Sequence, residues 1–182
     1  MALRNATSSD AQAIACLHAD SWRRNYRGAY SDAFLDGDVV SDRLAVWTDR
    51  LSEPDSLRVT LVVEDDGDLI GFAHTVLDDD PSWGALLDNL HVEHGHKRRG
   101  IGLRLLAATA SAVRSHGTGL YLWVQEQNVA AQHFYGAAGG TCVAREIISP
   151  PGGVAGRLNG TPYKLRYAWT ADQLAGAQRN PK

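Results

Sequence analysis

Cysteine is nearly absent: Cys16 and Cys142 are the only two in 182 residues, and no Cys-x-x-Cys spacing offers a zinc or redox pair. A chain of this length buries enough apolar surface to fold without such staples. Both thiols are expected to be free and buried, as suits a reducing compartment. No apolar run approaches the roughly 20 residues that cross a bilayer, and residues 1–10 lack the charged-then-apolar pattern of a leader. The expected address is the cytoplasm, with no membrane partner. Positive charge is not in excess either, since 18 Lys and Arg face 21 Asp and Glu for a net charge of −3. That excludes the global basic field that gathers nucleic acid, so any anion site must be local.

What is present has the balance of a globular domain, 44% hydrophobic and 21% charged, and argues against a disordered or fibrous chain. One domain is expected over residues 2–171, followed by a polar tail over 172–182. Residues 2–6 read as a strand. Ser8, Ser9 and Asp10 then offer N-caps for a helix near 10–24. Apolar residues between Asp32 and Leu51 have helical spacing broken by Gly37, which predicts two short helices. The alternation Leu57-Val59-Leu61-Val63, the turn Asp65-Asp66-Gly67-Asp68 and a return strand 69–77 make a hairpin. Residues 85–92 are apolar enough for a central strand. A helix follows from Ile101, with Gly117 as its C-cap. Then come a strand 120–124, a helix from Asn128 to Gly139-Gly140, and strands 142–148 and 161–169.

The informative loop is Lys97-Arg98-Arg99-Gly100-Ile101-Gly102, at the passage from a buried strand into a helix. A helix start carries unpaired N–H groups and partial positive charge, and glycines let a diphosphate approach them. The three cations add charge at the mouth. A P-loop would end in Gly-Lys-Ser/Thr, whereas Gly102 is followed by Leu103-Arg104. A dinucleotide loop would need a third glycine where Leu105 stands. Three histidines, His91, His94 and His96, raise the question of a metal, but Gly95 and the basic loop argue for a turn there, and no metal site is expected.

About 25 residues further on, residues 123–135 join a strand end to a helix that opens with Asn128 and carries Phe134-Tyr135. With both motifs in this order, the chain resembles the GCN5-related N-acetyltransferase (GNAT) superfamily, whose loop reads Gln/Arg-x-x-Gly-x-Gly/Ala and whose later helix carries Asn-x-x-Ala-x-x-Phe-Tyr before a glycine. The resemblance implies an α/β fold of the α+β type: a mixed, mostly antiparallel central sheet, splayed at the cofactor site and flanked by helices. It implies acetyl-CoA as acyl donor and an amine as acceptor. It implies cofactor contacts from Lys97, Arg98, Arg99, Gly100, Ile101, Gly102, Asn128, Phe134 and Tyr135, with the backbone of Leu90, His91 and Val92 meeting the pantetheine arm. Here Lys97 stands for the usual Gln or Arg, and Gly139-Gly140 stands where Gly-Phe is common. Within the superfamily, residues 21–28 look like the Ser-Trp-Arg-x-x-Tyr-x-Gly signature of one large branch.

Acyl transfer to an amine needs a neutral nitrogen. At pH 7 an alkyl amine is about one part in a thousand neutral, equivalent to about 4 kcal/mol of barrier, so a base is expected. Asp88, His91 and Glu126 are near the expected site, and Asp88 ranks first. Simple alternation sends Asp88 and Leu90 to one face of the strand and His91 to the other. By the resemblance, the Tyr135 hydroxyl faces the cofactor sulfur as a proton or hydrogen-bond donor. Trp22, Tyr26 and Tyr30, spaced i, i+4, i+8, make either a core stripe or one wall of an acceptor cleft. The function expected is direct acetyl transfer in a ternary complex, with a noncatalytic acyl-CoA sensor as the alternative. No nucleic-acid partner is expected, and whether the chain forms a homodimer is left open.

Overall fold

A computed structural model describes residues 1–116 and 118–176. The first strand, β1 (Ala2–Asn5), leads into α1 (Ala11–Asn25), and two short helices follow, α2 (Asp32–Asp36) and α3 (Val39–Arg50). Three strands come next: β2 (Arg58–Asp65), β3 (Asp68–Asp80) and β4 (Gly84–Val92). Then the chain alternates through α4 (Ile101–Arg114), β5 (Leu120–Gln125) and α5 (Val129–Ala137). It closes with β6 (Thr141–Ile147), β7 (Tyr163–Trp169) and α6 (Ala171–Gly176). The order in the single seven-stranded sheet is β1-β2-β3-β4-β5-β7-β6. Every pairing is antiparallel except β4 with β5.

The inner strands of the sheet are buried on both faces, and β2 shows how. Leu61 and Val63 pack with Ile101, Leu105 and Leu106 of α4, while Val62 between them packs with Ile14 of α1 and Trp47 of α3. Period-two alternation thus feeds two apolar layers, and residues 61–63 read as continuously hydrophobic. In α4 the buried residues Ile101, Leu105, Leu106, Thr109 and Val113 form one stripe. Gly71 of β3 lets that stripe close on the sheet. A Cβ there would stand 3.1 Å from Ile101 and 3.2 Å from the His91 carbonyl.

Several expectations change. Both cysteines are free but exposed, not buried. Cys16 lies off the α1 stripe of Ile14, Ala15, His18, Ala19 and Trp22, and Cys142 sits on β6, which is paired on one side only. α1 ends at Asn25, so Tyr26 and Tyr30 do not continue its stripe. The Gly117 cap lies outside the described residues, as do 177–182. Within the stretch expected to be a tail, Leu174 is buried in the core on the α4 side.

The Gly139-Gly140 pair has a physical explanation. The Trp169 indole of β7 donates to the Ala138 carbonyl at 2.9 Å, and a Cβ on Gly140 would lie 2.6 Å from its ring. An aromatic from another strand therefore fills the space beside residue 140. Gly140→Ala is expected to cost about 1–3 kcal/mol by overpacking, read as a lowered urea midpoint at unchanged slope. An unchanged midpoint would show that the indole yields freely.

Candidate active site

The site begins where the sheet comes apart. β4 and β5 pair through only two residues each, Ala85 with Leu120 and Leu86 with Tyr121. Beyond that point β5 continues with β7 and β4 continues with β3, so the facing backbones of 87–92 and 122–125 have no strand partner in each other. The splay opens toward the basic glycine loop.

In that loop the backbone turns left-handed at Arg98 (φ 61°) and again at Gly100 (φ 79°), which precedes α4 directly. Among the described residues, the first backbone amide of α4 to find a carbonyl is Arg104, which donates to Gly100 at 3.0 Å. The N–H groups of residues 98–103 have no backbone partner. A run of unpaired donors at a helix start is an anion cradle. Open space surrounds Gly100, while a Cβ on Gly102 would come within 3.3 Å of the Phe134 ring and 3.8 Å of Leu90. The loop, β4 and α5 therefore meet at Gly102. Lys97, Arg98 and Arg99 are exposed at the mouth, whereas the Ile101 side chain belongs to the core.

From α5, Asn128 caps the helix by accepting from the Ala131 N–H at 3.3 Å. Tyr135 is buried, with the Phe134 ring 5.1 Å away and Tyr167 at 6.1 Å. Burial raises its phenol above the ordinary value of 10. It lies close enough to Tyr26 that Tyr30, Tyr135 and Asp88 all reinforce the upward push burial gives the Tyr26 phenol. The donor side and the aromatic wall thus adjoin.

A second cavity, about 220 Å³, opens on the opposite face of the sheet, against α1 and α3. Trp22, Tyr26 and Tyr30 line it, with neighbouring ring centroids 5.0–5.7 Å apart. These rings are core and cavity wall at once, gathered by the turn after α1 and not by helical periodicity. That turn is fastened to the loop after β5, because the Gln127 side chain donates to the carbonyls of Asn25 and Arg27 at 2.9 and 3.1 Å.

Strict alternation fails on β4. His74 pairs with Asn89 but Thr75 pairs with Leu87, so Asp88 is the extra residue of a β-bulge. The bulge resets the phase, and Asp88, Asn89 and His91 all line the same cavity. Asp88 Oδ2 forms an ion pair with Arg50, 2.7 Å from Nη1, and accepts from Asn89 Nδ2 at 2.6 Å. His91 Nδ1 lies 2.8 Å from Ser21 Oγ, and burial pushes its imidazole down to about 4, so it is neutral at pH 7. Glu126 points elsewhere and is paired on the surface with Arg145 at 2.7 Å. The strand ends at Val92, and His94 and His96 lie in a 3₁₀ turn in which His96 is bonded to Glu93. No metal-holding cluster occurs among the described residues.

Several residues of this cavity have no signal in the sequence. His18 sits 4.6 Å from the His91 ring and accepts at Nδ1 from Trp47 at 3.0 Å, so its proton is on Nε2, which has no protein partner. Gln125 is buried with neither amide atom paired, the Tyr30 hydroxyl standing beside it outside hydrogen-bond geometry. Arg43, Arg50, Trp123 and Lys164 complete the wall. Of the cavity's lining, Trp22 and Tyr26 belong to the motif of residues 21–28, whose Ser21 bonds His91 from behind the wall.

Residues 17–139 match the acetyltransferase (GNAT) family. A curated relative, the uncharacterized N-acetyltransferase YuaI of Bacillus subtilis, is 28% identical over 130 residues, covering 69% of this chain and 72% of that protein. Among solved structures, the PaiA N-acetyltransferase of Thermoplasma acidophilum in complex with coenzyme A superposes with a TM-score of 0.68 at 17% identity, over 92% of this chain and 98% of that one. The protein yncA of Salmonella typhimurium, solved with its cofactor acetyl-CoA, gives 0.67 at 19% identity, over 100% and 98%.

Proposed function

This chain belongs to the acetyltransferase (GNAT) family and is an acetyl-CoA-dependent acyltransferase; on that premise we propose that it moves the acetyl group directly to the amine of a small acceptor held in the 220 Å³ cavity. The observation that carries the reading is the splay. One open seam in the sheet has the unpaired N–H groups of residues 98–103 at its end and an acceptor-sized cavity at its side.

The residues fit the donor. The left-handed cradle at Arg98 and Gly100 presents backbone donors to a diphosphate, and the exposed cations before it suit further phosphate. When bound, acetyl-CoA supplies the activated acyl carbon and a thiol-based leaving group. Tyr135 then holds a proton at its hydroxyl. A phenol raised above 10 is a weaker acid than a thiol near 8.5, so Tyr135 keeps that proton and stabilises negative charge by donating a hydrogen bond. Asp88, turned into the cavity by the bulge, takes the proton released by the acceptor nitrogen and passes it toward solvent. Arg50 and Asn89 hold its carboxylate in position at the cavity wall.

The test is calorimetric titration with acetyl-CoA beside Gly100→Trp, followed by an acceptor screen. Binding by the native chain, lost in a folded variant, together with acceptor-dependent acylation, is the expected result. Binding without acylation of any amine would favour a sensor of acyl-CoA. Absence of binding by the folded native chain would overturn the donor site.

A further inference from the structure

The acceptor cavity carries a charge opposite to that of the chain. Around it, Arg43 and Arg157 share one carboxylate, Asp42, with Nη2 and Nη1 at 2.5 and 2.6 Å. Across the cavity Lys164 and Arg166 share another, Glu146, at 3.8 and 3.6 Å. Arg50 and Asp88 balance each other. Of these groups Arg43, Arg50 and Lys164 line the cavity against one lining carboxylate, Asp88, in a protein whose net charge is −3. The two surplus positive charges flank the cavity on opposite sides, one on α3 and one on β7.

Neutral donors point the same way. His18 Nε2–H is buried and unpaired, and so is the Gln125 amide, and both residues line the cavity. A buried polar group without a protein partner is costly, and one in a cavity wall is free to pair with whatever fills the cavity. Arg43 is held in place with its guanidinium 4.3 Å over the Trp22 ring, and Lys164 rests 4.0 Å over Trp123. Cations fixed on aromatic faces are preorganised, so little ordering is lost when an anion arrives. The remaining wall is largely aromatic and the volume is small.

We infer that the acceptor is a compact primary amine that also bears an anionic group, a carboxylate or a phosphate, and that Arg43 and Lys164 select for it. The inference rests on the acetyltransferase reading above. A polyamine, positive throughout, is the acceptor this cavity rejects.

The test sets each protein α-amino acid beside its primary amide, and O-phosphoethanolamine beside ethanolamine and spermidine, with the full chain and acetyl-CoA. Acetylated product is counted by mass spectrometry, because the exposed Cys16 and Cys142 would react with a thiol reagent. The amide's amine is the less basic and offers more neutral nucleophile, so intrinsic reactivity works against the expected result. At least one anionic acceptor is expected to exceed its neutral match tenfold in kcat/KM, and which pair does so separates carboxylate from phosphate. Lys164→Gln and Arg43→Gln are each expected to reduce that ratio at least threefold. Lys164, the more exposed, keeps the test available if the Arg43 variant fails to fold. Ratios at or below one, or a preference for spermidine, would overturn the anion inference and leave the transferase intact. No acetylation of any amine by protein that binds acetyl-CoA would overturn both.

Discussion

Between pH 6.5 and 4.5 the protein is expected to lose most of its stability, with the urea midpoint falling steeply below pH 6. The cause is a set of neutral histidines in the layer between the sheet and α1–α3. Burial lowers His18 well below its ordinary value, and His74 and His91 to about 4. Each folded-state value lies below the unfolded one, near 6.5. The unfolded chain therefore binds protons first, and stability is fully present above pH 6.5 and drains as pH falls toward the folded values. Each histidine contributes a slope of about 1.4 kcal/mol per pH unit, so three together remove about 4 kcal/mol per unit. Against a total stability of about 5–15 kcal/mol, the loss of roughly 6–8 kcal/mol over two units is a large share. Asp10, held at about 2 by its ion pair with Arg4, acts only below about 4, because a lowered carboxylate loses its contribution as pH falls from its unfolded to its folded value. It does not confuse the window. Urea titrations at pH 7.5, 6 and 5 decide the matter. A flat midpoint would mean that these rings protonate in place, and the account of their burial would be wrong.

Replacing Tyr135 by Phe is expected to reduce kcat about 100-fold while the affinity for acetyl-CoA, read by calorimetry, stays within a factor of two or three. The ring is held by Phe134, Tyr167 and Trp169, and a phenylalanine keeps those contacts, so fold and donor binding survive. On the proposed role, what is lost is one hydrogen-bond donor to developing charge, an interaction that is strongest in the transition state. Because burial raises this phenol, the hydroxyl stays protonated across the accessible range. The native pH profile should therefore show no basic limb from Tyr135 below pH 10. A kcat loss under threefold in the variant would remove Tyr135 from the chemistry and leave it a packing residue.

The strands and helices were legible because their signals are local. The hairpin turn at 65–68, the apolar run 85–92 and the stripe of α4 each carry their own period. The glycine loop was legible because the left-handed turn into α4 needs glycine at position 100. The order β5-β7-β6 was not, since nothing in either strand says that the last one inserts between the two before it. The bulge at Asp88 also left no mark, and missing it sent Asp88 and His91 to opposite faces. A bulge is chosen by the pairing of two strands, and single-strand alternation does not contain it. Arg43 and Lys164 were invisible for a similar reason. They lie 121 positions apart and become neighbours of one cavity only through the fold.

The short β4–β5 pairing gives the molecule an edge in its interior. From Leu87 onward β4 keeps one side on β3 and leaves the other free, much as a rim strand does at the border of a sheet. An extended ligand with its own amides can join such an edge as a further strand, held by main-chain groups that every residue carries alike. Recognition written in the backbone is out of reach of most substitutions. A donor held that way would keep its grip while sequences drift far apart, and the side chains of the cavity on the other face would be left free to change what is acetylated.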